Sequence, residues 1–388
     1  MRFSLSQPAL VAEARQQSKS HSLIIEILIF ILVFLVAGMV FEGGMMAIGL
    51  LVPLFFGDTF QEMLARSANG ELQLDMATIQ EMTSKLLSDP LVTAIMLFST
   101  AGLIAGVLLY CRAIEGRRLA TVGLRRTHAV REYLVGLAVG AIMLSLAVGI
   151  CLLSGQMEFK GLAGGSPLIL AVLLVGFLVQ GASEELLCRG YFCVSLARRQ
   201  RLWVAILVSS LAFAALHLFN DGIAPLAFFN LALFGAFECV YLFKRGNIWG
   251  PAAIHSAWNF MEGNFYGTSV SGGEEMESIL RVVNGDGAWW VNGGAFGLEG
   301  GLAVTAVLAA GLVVLLLMRT AEPAELLPQP PVSPQPPVPP QPQVPPQPQV
   351  LPQPPVSPQP QPSPPPQPPV PPQPPDYQAP NAETRQQS

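Results

Sequence analysis

The chain has 388 residues, 51% of them hydrophobic and only 12% charged, with a net charge of −5. Soluble domains carry about 25% charged residues, so this composition excludes an ordinary water-soluble fold and points to an integral membrane protein. No basic patch is interleaved with aromatics, and nucleic acid is not an expected partner.

Residues 1–21 are polar and carry Arg2, Arg15 and Lys19, which reads as a cytoplasmic N-terminal segment. The apolar run from Ser22 to about Phe56 is far longer than a signal-peptide core. It reads as a retained first transmembrane helix with a Gly-rich extension, leaving room for a second short membrane segment around Met45–Phe56. Further apolar segments begin near residues 91, 133, 167, 203, 225, 248 and 301. Each approaches the roughly 20 residues a helix needs to cross a bilayer. No alternating barrel pattern appears, so backbone satisfaction in lipid requires helices. The expectation is an all-α, polytopic membrane helix bundle of about eight transmembrane helices over residues 22–320, with a core at about 165–265.

Alternate loops of this layout hold most of the Lys and Arg residues, among them Arg112, Arg117, Arg118, Arg125, Arg126, Arg131, Arg198, Arg199, Arg201, Lys244, Arg245 and Arg319. The opposite loops hold only Arg66, Lys85, Lys160 and Arg281. By the positive-inside rule both termini are expected in the cytoplasm. The outer loops then include residues 57–90, with two short amphipathic stretches around "SANGE", and 266–300, with Trp289 and Trp290 as interface anchors. Cys111, Cys151, Cys188, Cys193 and Cys239 lie in or beside apolar segments without CxxC spacing, and read as small buried hydrophobes. Residues 321–388 include near-repeats such as "PQPPVSPQPPVPPQPQVPPQ", which cannot bury a core. They are expected to form a disordered, polyproline-II-like cytoplasmic tail, a spacer or else a dock for a proline-recognising partner.

Within the apolar segments stand polar residues that need a reason. The fourth contains "GASEELLCRGYF", with Glu184, Glu185 and Arg189, and the fifth ends "FAALHLFN", with His217. The sixth has Asn230 and Glu238, and the seventh reads "AAIHSAWNF", with His255 and Asn259. A charge at the bilayer centre costs roughly 2.5–3.5 kcal/mol on insertion scales, so such residues usually mark function. Glu184 lies 14 residues before the turn at Arg198–Arg201, and His217 lies 16 residues after it. At a rise of about 1.5 Å per residue both sit roughly 21–24 Å from the same membrane edge. Asn230 and Asn259 are each 14 residues from the turn at Lys244–Arg245, with His255 four residues closer. The spacing thus predicts that four helices bring their polar residues to one depth.

Glu185 and Arg189 form an i,i+4 pair in the favourable orientation, while Glu184 is turned away from Arg189 and free to face a cavity. His255 and Asn259 share a helix face. A water between Glu184 and His217, with donors from His255 and Asn259 opposite, has the layout of a hydrolase. Glu184 would deprotonate the water, His217 would orient it and protonate the leaving amine, and His255 and Asn259 would stabilise the oxyanion. Each residue also has a structural reading. An intramembrane His or Asn can serve as an interhelical hydrogen-bonding group, and Glu185–Arg189 as an ion pair alone. Glu238 reads as structural, and Phe213 and Trp258 as packing.

The motifs "EELLCR" (Glu184, Glu185, Arg189), "FAALH" (Phe213, His217) and "HSAWN" (His255, Asn259) stand in order on successive helices. They resemble the EExxxR, FxxxH and HxxxN marks of the CAAX-protease and bacteriocin-processing (CPBP) family of intramembrane endopeptidases. The resemblance covers roughly residues 165–265, with "VGLRR" upstream only suggestive. It implies a glutamate-type peptidase, with Glu184 and His217 activating water and His255 and Asn259 forming the oxyanion hole. It further implies a peptide or protein substrate at the membrane and a bacterial plasma-membrane location. No cofactor or metal is expected. The competing readings are a metal-dependent peptidase, since these Glu, His and Asn residues could hold Zn²⁺ although no HExxH occurs, and a non-catalytic adaptor or bacteriocin-immunity protein. A proton-relay transporter is a further alternative, without visible repeat symmetry between halves.

Overall fold

The computed structural model describes residues 8–49, 51, 58–70, 75, 76, 80, 89–285 and 287–318. The proline-rich tail, residues 1–7, most of residues 71–88 and most of the second half of the Met45–Phe56 segment lie outside the described residues.

The described chain is mostly helical. A short helix, α1 (Ala9–Gln17), precedes α2 (Leu23–Gly49), and α3 (Asp58–Ala68) follows. Then come α4 (Pro90–Ile114), α5 (Ala129–Leu153), α6 (Pro167–Ala197), α7 (Leu202–Leu216) and α8 (Pro225–Arg245). Helix α9 (Trp249–Phe260) runs on through a wider turn, Met261–Tyr266; α10 (Trp289–Asn292) is a single turn, and α11 (Leu302–Leu317) ends the described chain. Five of these, α2, α4, α5, α6 and α8, are long and apolar enough to cross a membrane, while α7 and α11 are apolar but shorter. Their outward faces are apolar too: Ile24, Leu28, Leu32 and Val36 of α2 are all exposed. Such surface is stable in lipid and not in water, and the chain is an integral membrane protein.

Local chemistry sets the helix starts. Pro90, Pro167 and Pro225 each occupy a first helical turn, where a missing N–H costs nothing. The Asp89 side chain accepts from the N–H of Leu91 to cap α4. Glycines decide how closely helices approach. A Cβ on Gly136 or Gly140 of α5 would collide with the backbone of Gly250 or Ile254 in α9, and one on Gly181 of α6 would meet Ser256. Helix α9 is therefore clasped between α5 and α6 at backbone contact, as small residues permit in membranes.

Three features depart from the sequence reading. Residues 9–17 of the polar N-terminal segment form a helix whose Leu10, Val11 and Ala14 are fully buried. Arg15 of this helix donates to the carbonyls of Ala197 and Arg198, closing the end of α6. Glu26, overlooked in the first apolar run, is buried and accepts from Arg198, which also bonds Glu115. Finally, an antiparallel pair joins β1 (Met157–Leu162) to β2 (Leu280–Asn284), with Glu158 opposite Val283 and Phe159 opposite Val282. It ties the α5–α6 connection to the long segment between α9 and α11.

Candidate active site

Helix α6 places its polar residues where its winding changes. From Leu186 to Cys193 the backbone widens into π-helical turns, a form often found at functional sites. The carbonyl of Cys188 in this stretch accepts from Ser209 Oγ of α7 at 2.8 Å, which fixes the two helices to one another. Phe30 of α2 stacks on Phe192, and Tyr110 of α4 meets Tyr191 edge-on.

Glu185 and Arg189 are completely buried, with Arg189 Nη1 2.9 Å from Glu185 Oε1. This is an ion contact without directed hydrogen-bond geometry, since Nη1 has no hydrogen-bond partner by angle. The guanidinium lies over the Phe213 ring at 4.1 Å, so the phenylalanine shares in holding the charge. Phe213 also packs against the rings of His217 and His255, at 4.9 and 5.7 Å between centroids. Glu185 Oε1 in turn takes the Nδ1 side of His255 at 2.9 Å. That contact puts the Nδ1 proton of His255 on the carboxylate side and turns Nε2 towards Glu184, 3.7 Å from its Oε2.

Glu184, unlike Glu185, keeps 23% of its side chain exposed. It lines a cavity of about 360 Å³ together with His217, His255 and Asn259. The four residues singled out in sequence are therefore brought together around one space. Among the described residues its Oε2 has no hydrogen-bond partner, whereas Oε1 accepts from Gln180 Nε2 at 2.5 Å. Helix α7 ends at Leu216, and His217 caps it with Nδ1 2.9 Å from the Phe213 carbonyl. The proton on Nδ1 goes to that carbonyl and leaves Nε2 as an acceptor. Asn259 is buried; its Nδ2 donates to Gln180 Oε1 at 3.0 Å and its Oδ1 has no partner.

Gln180 is the residue that sequence reading missed. One turn before Glu184 on the same face, it links Glu184 to Asn259 across two helices. The i,i+4 spacing in "QGASE" was the signal available. The segment between α9 and α11 also reaches the cavity, through Ser271 and Glu299. Asn220 donates to the Ser271 carbonyl at 2.8 Å, and the Ser271 hydroxyl bonds the Glu299 carboxylate. Burial pushes the Glu299 carboxyl above the usual carboxylate range, opposed by that hydroxyl. Glu42 of α2 lines the cavity as well.

Two polar residues of the sixth apolar segment stand apart from this cavity. Asn230 donates to the carbonyls of Glu299 and Gly301 and accepts from Thr305, so it anchors the start of α11. Glu238 is fully buried with neither oxygen hydrogen-bonded, and does not line the cavity. All five cysteines are buried and free. Among the described residues no group of three His, Cys, Asp or Glu side chains could hold a metal ion.

No curated protein and no solved structure matches the chain. Residues 166–261, about a quarter of the chain, match one family model. That stretch runs from the start of α6 to the first residue of the wide turn after α9, and it holds Glu184, Gln180, His217, His255 and Asn259. Residues 166–261 thus carry a domain similar to the type II CAAX prenyl endopeptidase Rce1-like family, consistent with the CAAX-protease and bacteriocin-processing family of membrane endopeptidases.

Proposed function

We propose that the protein is an intramembrane endopeptidase in which Glu184 activates a water to hydrolyse a peptide bond of a membrane-associated protein or peptide. The observation that carries this is the partly exposed Glu184 side chain, which lines one cavity with His217, His255 and Asn259 and whose Oε2 accepts no hydrogen bond among the described residues. A water at that oxygen gives its proton to Glu184 while Nε2 of His217 accepts its second hydrogen. The hydroxide attacks the scissile carbonyl carbon. The carbonyl oxygen, now negative, is held by the second N–H of Asn259 and by Nε2–H of His255 when that ring carries both protons. The proton taken by Glu184 passes to the leaving amine, and the peptide separates into a carboxylic acid and an amine, the acid's proton passing on to the amine to leave a carboxylate and an ammonium. Glu185 and Arg189 touch no substrate in this scheme; they fix the orientation of His255.

Glu184→Gln keeps the size and the bond from Gln180 but cannot take the proton. Expressed in matched membranes, this variant should lose specific peptide termini that the wild type produces, at an unchanged melting temperature. Unchanged termini in a folded variant would refute the glutamate mechanism and favour a non-catalytic adaptor. Removing the oxyanion donor in Asn259→Ala should lower turnover about 10²–10³-fold.

A further inference from the structure

A second cavity lies away from the site above. It is a groove of about 650 Å³ bounded by α5, α8 and α11. Its walls are apolar: Val135, Val139 and Met143 recur at four-residue spacing along α5, facing Ala306, Ala310 and Val314 on α11. The lining runs along α5 from Arg131 to Ile150, roughly 28 Å at helical rise, so it accommodates an acyl chain reaching through one leaflet of a hydrocarbon core of about 30 Å.

One end of this groove is cationic. Arg131, Lys244 and Arg245 line it, and no lining residue is acidic. Arg245 bonds Glu132 through Nε and Nη2, which leaves Nη1 to donate elsewhere. Lys244 Nζ donates to the Met318 carbonyl at 2.5 Å, sealing the end of α11 without neutralising its own charge. Arg131 is exposed and forms no ion pair among the described residues. Three cations against the single carboxylate of Glu132 leave this mouth positive, at the depth where an apolar slot meets water. Basic pockets between membrane helices suit anionic lipid headgroups.

We propose that this groove is a binding site for an anionic phospholipid, its acyl chain between α5 and α11 and its phosphate at Arg131 and Arg245. The site is independent of the peptidase reading, since it shares no residue with the catalytic cavity. A neutral phospholipid fills the slot but leaves the cations unanswered, and a soluble phosphate ester answers the cations but leaves the slot empty.

The test is native mass spectrometry of the full-length protein in detergent. Phosphatidylglycerol and phosphatidylcholine of identical chains are added in turn, with glycerol phosphate as the soluble control. Wild type should retain phosphatidylglycerol about tenfold better than phosphatidylcholine, and glycerol phosphate should not compete. Arg131→Gln should erase most of that preference, and Ala310→Trp should reduce retention of both lipids. Both positions are exposed, and melting curves confirm that the variants fold. Equal retention of the two lipids by wild type, or a preference untouched by Arg131→Gln, overturns the proposal. So does loss of a dimer in Ala310→Trp without loss of lipid, which would make the groove a contact between copies of this chain.

Discussion

Two neighbouring glutamates in α6 have different fates because their surroundings differ. Glu185 is enclosed by Arg189 and His255, while Glu184 is partly exposed and lines the cavity. Between Glu184 and the oxyanion donor stands Gln180, whose amide uses both its ends, donating to Glu184 and accepting from Asn259. Gln180→Leu removes both bonds and leaves two polar groups to find new partners. Each costs about 1–3 kcal/mol if it stays buried and unpaired. We expect turnover of a membrane peptide to fall at least tenfold with KM little changed, since Gln180 orients groups rather than gripping substrate. Gln180→Glu, which keeps the acceptor for Asn259 but not the donor for Glu184, should not restore it. Steady-state kinetics on the purified variants separates the two parameters.

At the scale of the element, α6 and α9 work as a pair. Gly181 lets α9 come to backbone contact one residue from His255, and the Arg189 guanidinium on Phe213 joins α7 to them. Arg189→Met should therefore cost stability before it costs chemistry. It strands a carboxylate with no exposure, and breaking a buried pair costs about 3–5 kcal/mol. A lower melting temperature in detergent is the expected result, with Arg189→Met plus Glu185→Met recovering part of it.

Much of this pairing was legible in the sequence. Glu184, His217, His255 and Asn259 could be placed at one depth by counting from the basic turns, because helical rise is constant and the turns are short. The fifth and sixth segments show where that counting stops. His217 comes after α7 has ended, and Asn230 at a suitable depth faces α11 instead of the cavity, because depth says nothing about rotation around the helix axis. The β1–β2 pair and the buried side of α1 were not legible. Phe159 and Leu162 are exposed, and the strand is short enough for its pattern to be lost in a polar loop. Leu10, Val11 and Ala14 cover only a small face in a segment whose charge dominates its composition.

For the whole molecule, the cavity draws on more of the chain than the family match covers. Glu42 of α2, Thr93 and Met96 of α4, and Ser271 and Glu299 beyond α9 all line it, yet none lies in residues 166–261. An isolated fragment of that segment would lack walls on two sides. At the other end, no described residue after Glu299 lines the cavity. A chain ending at Thr320 should therefore melt like the full protein and produce the same peptide termini. A loss of cleavage in that truncation, with folding intact, would assign the proline-rich tail a part in presenting substrate.

The π-helical stretch of α6 has a bearing on how such a site can arise and be lost. A π turn holds, in effect, one residue more than the α-helix it interrupts. Removing Gly190, which lies within Leu186–Cys193 and outside the three motifs, would return α6 to regular winding without altering any side chain named above. The helix would still cross the membrane with both ends facing as before, but the residues inside the stretch would be displaced around the helix axis. The Cys188 carbonyl and Arg189, which lie inside it, would shift against Ser209 and Glu185. The site is thus encoded as a phase along the chain as well as a set of residues, and a protein with all three motifs intact could lose it to one deletion.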